Sequence, residues 1–176
     1  MGELNAFCEV TAKLRNRSAG DVDLKDLGNS VEKLAIELIN TRRQVSMEGV
    51  GGAPDWFGFE TDLWKLSREL HEFYKGSPKV RGRNPLSDAL ARMAEDSSLG
   101  KGRKYLVLLL GYYGRGEYGA NLGRLLGDSD VYCEAITALT RGRVRGYRKQ
   151  VSAILESAKK GFIRDAARKY LRKVDE

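Results

Sequence analysis

The residues best suited to chemistry are clustered cations. Residues 141–149 (Arg-Gly-Arg-Val-Arg-Gly-Tyr-Arg-Lys) hold five cations, and no acidic residue lies between Glu134 and Glu156. Guanidinium groups bind phosphate oxygens through paired hydrogen bonds, and closely spaced cations neutralise successive phosphates of a nucleic acid. We therefore expect a nucleic-acid contact from Arg141, Arg143, Arg145, Arg148 and Lys149. The alternative is a solvated basic turn without a partner.

The charge of the whole chain is unevenly distributed. The 176 residues include 31 Lys+Arg and 24 Asp+Glu, which gives a formal net charge of +7. Residues 1–78 have a net charge of −3, whereas residues 79–176 have a net charge of +10. A polyanionic partner is therefore expected to meet the second half of the chain.

The sequence gives catalysis little support. It has one histidine, His71, and two cysteines, Cys8 and Cys133, that have no paired spacing. We expect a solvated or capping histidine, buried or incidental thiols, no catalytic residue, no metal site and no cofactor. No apolar run is long enough to span a membrane and residues 1–14 lack a signal-peptide pattern, so we expect a cytoplasmic protein.

Helical periodicity dominates the elements that must position the cations. Residues 1–78 predict about three helices, interrupted by a glycine-rich break at 47–55. No segment alternates apolar and polar residues as a strand does, so an all-α fold is expected. Four large aromatic residues follow the break, and we expect them to pack in the core rather than form a binding platform. They are Trp56, Phe57, Phe59 and Trp64.

Residues 84–174 contain an internal repeat. Residues 103–111 (Arg-x-x-Leu-x-x-Leu-Leu-Gly) recur 29 positions later as Tyr-x-x-Ala-x-x-Ala-Leu-Thr, and 32 positions beyond that as Arg-x-x-Ala-x-x-Tyr-Leu. The segments between them repeat as well, since Tyr118 and Leu122 recur as Tyr147 and Val151. Two helix types therefore alternate with a period near 30 residues.

This alternation resembles HEAT repeats, with the resemblance covering roughly residues 85–173. Tyr132 departs from the family, which often has arginine or another polar residue there. The resemblance implies a right-handed helical solenoid whose second helices, near 86–95, 117–127 and 146–157, line a concave face. The resemblance also implies a binding scaffold for proteins or nucleic acids, which is the usual role of the family. A few family members are DNA glycosylases.

Two further groups of cations follow from this register. Arg92 and Arg124 lie 32 positions apart at equivalent places in the repeat, so both are expected to face the concave groove. A secondary basic cluster, in the segment before residue 84, consists of Lys79, Arg81 and Arg83. The alignment of Arg92 and Arg124 predicts a groove that follows a charged backbone, and the secondary cluster is a separate candidate in the linker.

The register also predicts the core. Tyr147 is equivalent to Tyr118, so we expect it to pack in the core rather than stack on a base. Thirteen side chains have no other face to occupy and are expected to be buried. They are Leu106, Leu109, Leu110, Leu122, Leu125, Leu126, Ala135, Leu139, Val151, Ile154, Leu155, Ala167 and Leu171.

The function expected from the sequence is non-catalytic binding of a nucleic-acid backbone, DNA or RNA, by a basic helical-repeat surface. One alternative is a scaffold that binds an acidic protein. A remote alternative is a HEAT-like DNA glycosylase, for which Asp55 and Asp62 with Trp56 and Trp64 form the one obvious residue set.

Overall fold

The computed structural model describes residues 2–15, 22–44, 56–159 and 161–174, with the backbone alone at 2–6, 41–44 and 56–59. The described part of the chain is all-helical, as the sequence predicts, and contains no strand. Its α-helices are α1 (Gly2–Arg15), α2 (Leu24–Gln44), α3 (Trp56–Gly76), α4 (Pro85–Glu95), α5 (Lys104–Tyr113), α6 (Gly119–Arg124), α7 (Tyr132–Gly142), α8 (Arg148–Ser157) and α9 (Gly161–Lys173). The glycine-rich break at 47–55 lies outside the described residues.

The helices pack in two interleaved series. The odd-numbered helices contact one another in chain order, from α1 to α3, α5, α7 and α9. Among the even-numbered helices, α2 packs against α4, and side-chain hydrogen bonds join α4 to α6. Even helices also pack against the next odd helix, as α4 does on α5 and α8 does on α9. The helices of residues 1–78 are continuous with the later ones through α2 and α3.

Local signals set where these helices begin. Asn84 precedes α4, where its side chain accepts a hydrogen bond from the Ser87 N–H at 3.0 Å, and Pro85 occupies the first helical position. Asp23 caps α2 in the same way, accepting from the backbone N–H groups of Lys25 and Asp26. Side-chain oxygens at these positions satisfy the N–H groups that the first helical turn leaves unbonded.

Two of the predicted helices are shorter than expected because 3-10 segments replace their ends. Residues 97–103 form a 3-10 segment before α5, and residues 125–127 form another after α6. Gly100 breaks the first segment with φ of 51° and ψ of −140°, a conformation that favours glycine. The α-helical part of this segment therefore begins only at Lys104.

The predicted core is largely confirmed. Ten of the thirteen expected side chains are buried, and the other three, Ile154, Leu155 and Leu171, are half-buried against the same core. Tyr147 is also half-buried and packs against this core. The expectation of a buried Trp64 is wrong, because its side chain is 36% exposed at the edge of a groove beside α5. The side chains of Trp56, Phe57 and Phe59 lie outside the described residues.

Candidate nucleic-acid interface

Three loops of similar construction carry most of the candidate cations. They are residues 81–84 before α4, 114–118 between α5 and α6, and 143–147 between α7 and α8; together we call them the turn row. Each contains an Arg-Gly pair whose glycine has a positive φ, at Gly82 (99°), Gly116 (80°) and Gly146 (97°). Glycine adopts this left-handed region without the clash that a Cβ would cause. In each loop the arginine therefore precedes a tight turn of the backbone.

The loops of the turn row touch one another. The Gly82 N–H donates a hydrogen bond of 2.7 Å to the Tyr113 carbonyl, which holds the first loop against the end of α5. A Cβ placed on Gly82 would lie 3.6 Å from Cδ of Arg115, and one placed on Gly116 would lie 2.8 Å from the Gly142 carbonyl oxygen. The three loops consequently form one continuous edge of the molecule.

Tyrosines anchor the third loop from beneath. The Tyr170 hydroxyl of α9 donates to the Val144 carbonyl at 2.8 Å and accepts from the Tyr147 N–H at 3.3 Å. Tyr147 in turn donates its hydroxyl proton to the Gly119 carbonyl at 2.8 Å, which links this loop to α6. Tyr147 is thus engaged in positioning the loop, and its ring is not an open stacking face.

The third loop and the first turn of α8 include exposed cations that have no ion pair within the described residues. Arg143, Arg145 and Lys149 are exposed, and none forms an ion pair within the described residues. Arg143 ends α7 in the left-handed conformation (φ 53°), and its N–H donates to the carbonyl groups of Leu139 and Thr140. The Arg143 side chain therefore extends from the C-terminal end of α7, at a position that these backbone hydrogen bonds fix. Arg148 is exposed as well, at the start of α8.

The guanidinium of Arg141 lies apart from that loop. Its Cζ stands 4.7 Å from the centre of the Tyr112 ring, within the range of a cation–π interaction. An arginine held flat against a tyrosine keeps its outer hydrogen-bond donors available. Arg141 is therefore placed between the turn row and the surface of α5.

The secondary cluster is divided between structural and exposed cations. Arg81 donates to the carbonyl groups of Tyr74 and Lys75, at 3.3 Å each, and it lies over the Tyr113 ring. Arg83 forms an ion pair of 3.2 Å with Asp88, while Lys79 is exposed. Within this cluster, Arg81 mainly stabilises the loop, and the exposed charges are those of Lys79 and Arg83.

Arg92 and Arg124 face carboxylates of the neighbouring helix. Arg92 makes a two-pronged bond to Glu32 of α2, at 2.7 and 2.9 Å. This bond raises the pKa of Arg92, which keeps it charged at any ordinary pH. Arg124 is paired with Glu95, where its Nε and one terminal nitrogen lie 2.9 and 2.7 Å from the same oxygen, Oε1. Phosphate binding by either arginine would require exchanging an existing ion pair, so their role in binding remains a prediction.

Sequence reasoning missed Arg115, which lies in the second loop beside Gly82 of the first. Arg115 is exposed, has a left-handed backbone (φ 50°) and forms no ion pair within the described residues. The recurrence of Arg-Gly at 81, 115 and 145 was visible in the sequence, but the helical pattern alone gave no reason to align the loops. One acid, Glu117, also lies in the turn row, where its Oε1 would be 2.9 Å from a Cβ on Gly82.

The remaining sequence candidates are dispersed. Asp62 of the glycosylase alternative pairs with Lys65 at the surface of α3, at 2.9 Å, and Asp55 lies outside the described residues. His71 is half-buried rather than solvated, with its Nδ1 3.0 Å from the Tyr113 hydroxyl. Cys8 is exposed and Cys133 is half-buried, and both are free thiols. Within the described ranges, no group of three or more His, Cys, Asp or Glu residues is arranged to hold a metal ion.

Comparison with known proteins adds no relationship. The chain has no significant match to a protein-family model, a curated protein or a solved structure. Among the helices that the structure describes, none combines the length and apolar character needed to cross a bilayer.

Proposed function

We propose that the protein is a non-catalytic nucleic-acid-binding protein of the cytoplasm, built as a HEAT-like solenoid, and that the turn row holds the phosphate backbone. Each nucleotide carries a charged phosphate. Several cations at one edge therefore bind a nucleic-acid backbone strongly and with little sequence preference. The primary contacts are Arg115, Arg143, Arg145 and Lys149, with Lys79, Arg83 and Arg148 extending the surface.

The observation that carries this proposal is the contrast between paired and unpaired cations. Arg15, Arg92 and Arg124 each form a close ion pair with a glutamate of another helix. Among the described residues, Arg115, Arg143, Arg145 and Lys149 have no such carboxylate partner. Exposed arginines that are kept together yet not neutralised suit an external polyanion.

The packing of the helices supports the solenoid part of the proposal. Each odd helix rests on the next odd helix, and the even helices form the second series, as stacked helix pairs would. The loops that join each odd helix to the following even helix then fall at the same edge. A repeated architecture thus explains why the Arg-Gly turns are adjacent in space.

The test is a pair of charge variants of equal size. The turn variant carries Arg115→Gln, Arg143→Gln, Arg145→Gln and Lys149→Gln. The control variant removes four cations from the far end of the chain, which are also exposed and form no ion pair within the described residues. These are Lys159→Gln, Lys169→Gln, Arg172→Gln and Lys173→Gln.

Binding of both variants is measured by fluorescence anisotropy with labelled oligonucleotides of unrelated sequence. We expect the turn variant to lose at least tenfold in affinity for every sequence, while the control variant loses much less. Circular dichroism and thermal melting confirm that both variants are folded. Equal losses in both variants would show that net charge, not the turn row, drives binding.

A third variant addresses the arginines that face carboxylates. Arg92→Gln with Arg124→Gln removes two cations already neutralised by Glu32 and Glu95. If the concave surface binds phosphate by exchanging these pairs, this variant weakens binding as well. If no variant and no wild-type protein binds nucleic acid at low salt, the scaffold for an acidic protein replaces this proposal.

A further inference from the structure

An aromatic groove lies between α3 and α5, outside the turn row. Its volume is about 510 Å³. Leu108 and Leu109 form its apolar floor. Its other lining residues on α3 include Trp64, Arg68 and His71, and those on α5 are Tyr105 and Tyr112. Clefts of this size are typical of sites that bind small molecules.

The aromatic rings of the groove form two pairs. Trp64 and Tyr105 meet edge to face, with ring centres 5.8 Å apart. Tyr112 and His71 form the second pair, at 6.4 Å and nearly perpendicular. Tyr105 is 49% exposed and Tyr112 is 46% exposed, which is unusual for large side chains next to an apolar floor. Because Tyr105 and Tyr112 are seven residues apart on one helix, the pairs are about 10 Å apart.

The rim of the groove carries a surplus of positive charge. Its nearby acids are already neutralised, since Asp62 pairs with Lys65, Glu69 with Arg15 and Glu72 with Lys75. The Arg15 guanidinium beside Glu69 lowers the pKa of that carboxyl, so it remains ionised and paired. Arg68 and Arg141 form no ion pair with any carboxylate that the structure describes. The groove therefore suits an anionic ligand that has a planar apolar part.

One end of the groove, at Tyr112, lies close to the turn row. Tyr112 lies in the last turn of α5, immediately before the loop at 114–118. Arg141 lies in the last turn of α7, immediately before the loop at 143–147, and its guanidinium covers part of the Tyr112 ring. A ligand whose phosphates lie along the turn row would therefore also lie close to Tyr112 and Arg141.

We propose that the aromatic groove stacks unpaired bases of a single-stranded nucleic acid whose backbone lies along the turn row. Bases stack on tyrosine and tryptophan rings and on guanidinium planes, and the binding is tolerant of sequence because every base has a flat face. In a duplex the bases already stack on one another, so a duplex contacts the turn row alone. The inference rests on the proposed function and assigns its substrate class.

The test separates bases from phosphates. One probe is a single-stranded oligonucleotide of mixed sequence, and the second has the same length and phosphate count but abasic sugars throughout. Stacking is worth roughly 5- to 150-fold in affinity per base. We expect wild-type protein to bind the first probe at least tenfold more tightly than the second. Tyr112→Ala and Trp64→Ala should lower affinity for the first probe and leave the abasic probe unchanged.

Matched variants distinguish stacking from loss of structure. Tyr112→Phe keeps the ring and is expected to bind as wild type does. Phe162→Ala removes an aromatic residue that is 60% exposed on α9, far from the groove lining, and should change neither affinity. Trp64 also reports directly, because in a Trp56→Phe background it is the one remaining tryptophan. Its fluorescence is expected to be quenched by the first probe and not by the abasic one.

The outcomes separate the groove from the turn row. Equal wild-type binding of both probes, weakened only by the turn variant, overturns the groove and leaves the turn row intact. Absence of binding to both probes overturns the proposed function itself. If a synthetic acidic amphipathic helix binds, and Tyr112→Ala abolishes that binding while oligonucleotide affinity is unchanged, the groove is a protein site and the stacking proposal fails.

Discussion

The guanidinium of Arg103 is buried and donates a hydrogen bond of 2.6 Å to Oδ2 of Asp128. The Arg103 side chain is 1% exposed, and its other nitrogens donate to the carbonyl groups of Gly100 and Ala94, at 2.8 and 3.1 Å. The bond joins the 3-10 segment before α5 to the segment that follows α6. Arginine therefore serves two purposes in this chain, as an internal brace here and as an exposed cation in the turn row.

We predict that Arg103→Met lowers the free energy of unfolding by about 3 kcal/mol. The substitution leaves a carboxylate and two carbonyl groups without their donor, and Asp128 keeps partial access to water, which limits the loss. Urea unfolding measures the change. Arg168→Met is the control, since Arg168 pairs with Asp165 at the surface at 3.5 Å and should cost less than about 0.5 kcal/mol. A loss of similar size in both variants would contradict a bracing role.

Gly111→Ala is predicted to push α5 and α7 apart. A Cβ at Gly111 would lie 2.4 Å from Cα of Ala138, a backbone atom that cannot move without its helix. Forced separation of packed helices costs about 1–3 kcal/mol. Gly76→Ala is the control, because a Cβ there meets nothing within 4 Å. Thermal melting should show a lower Tm for the first variant and an unchanged or higher Tm for the second.

The ionisation of Tyr118 is predicted to weaken the fold at high pH. Burial, followed by the hydrogen bond that its hydroxyl donates to Asp88, raises the pKa of Tyr118 from 10.0 to about 12. The folded protein therefore holds this proton more tightly than the unfolded chain does. The resulting stabilisation is complete below pH 10 and is lost as the pH rises from 10 to 12.

Tyr118→Phe cannot ionise, so it isolates this effect. At pH 8 the variant should be less stable than wild type by about 1 kcal/mol, the value of a lost hydrogen bond. The difference should shrink as the pH rises through 10 and above. Urea unfolding of both proteins at pH 8, 10 and 11 is the measurement. A difference that stays constant across this range would show that the hydroxyl does not titrate in the folded protein at a raised pKa.

Removing the acid of the turn row is predicted to strengthen binding. Glu117 lies in the second loop with its carboxylate beside Gly82 of the first loop, and it repels phosphates at the same edge. Glu117→Gln should raise the affinity for an oligonucleotide roughly two- to fivefold at low salt, and the gain should vanish at high salt. Glu156→Gln, an exposed acid on α8, provides the matched control. A gain of equal size from both variants would indicate a general effect of net charge.

The sequence predicts the helices of this chain because their apolar spacing is regular, and nearly all expected core positions are indeed enclosed. It does not predict where the loops meet. Arg115 lies 34 positions after Arg81 and 30 positions before Arg145, and the stacking of the helices brings their turns to one edge. Helical periodicity determines which face is buried, but it carries no information about the neighbour of a given loop.

The aromatic groove shows a second limit of sequence reasoning. Trp64 occupies a helical position that suits a core residue, yet it lies beside Tyr105 at the open edge between two helices. A large aromatic side chain is usually buried, so its type alone favoured the wrong environment. The sequence also did not predict the ion-pair partners of Arg92 and Arg124, because Glu32 lies 60 residues from Arg92 in the chain. Long-range ion pairs depend on tertiary packing rather than on local pattern.

The salt dependence of single-strand binding tests the turn row most directly. Each phosphate neutralised contributes about 0.7 to the slope of log K against log salt on a single strand. We expect a steep slope for wild-type protein, an unchanged slope for the control variant, and a slope lower by up to about 2.8 for the turn variant, which loses four cations. Identical slopes for wild type and the turn variant would contradict phosphate binding by the turn row.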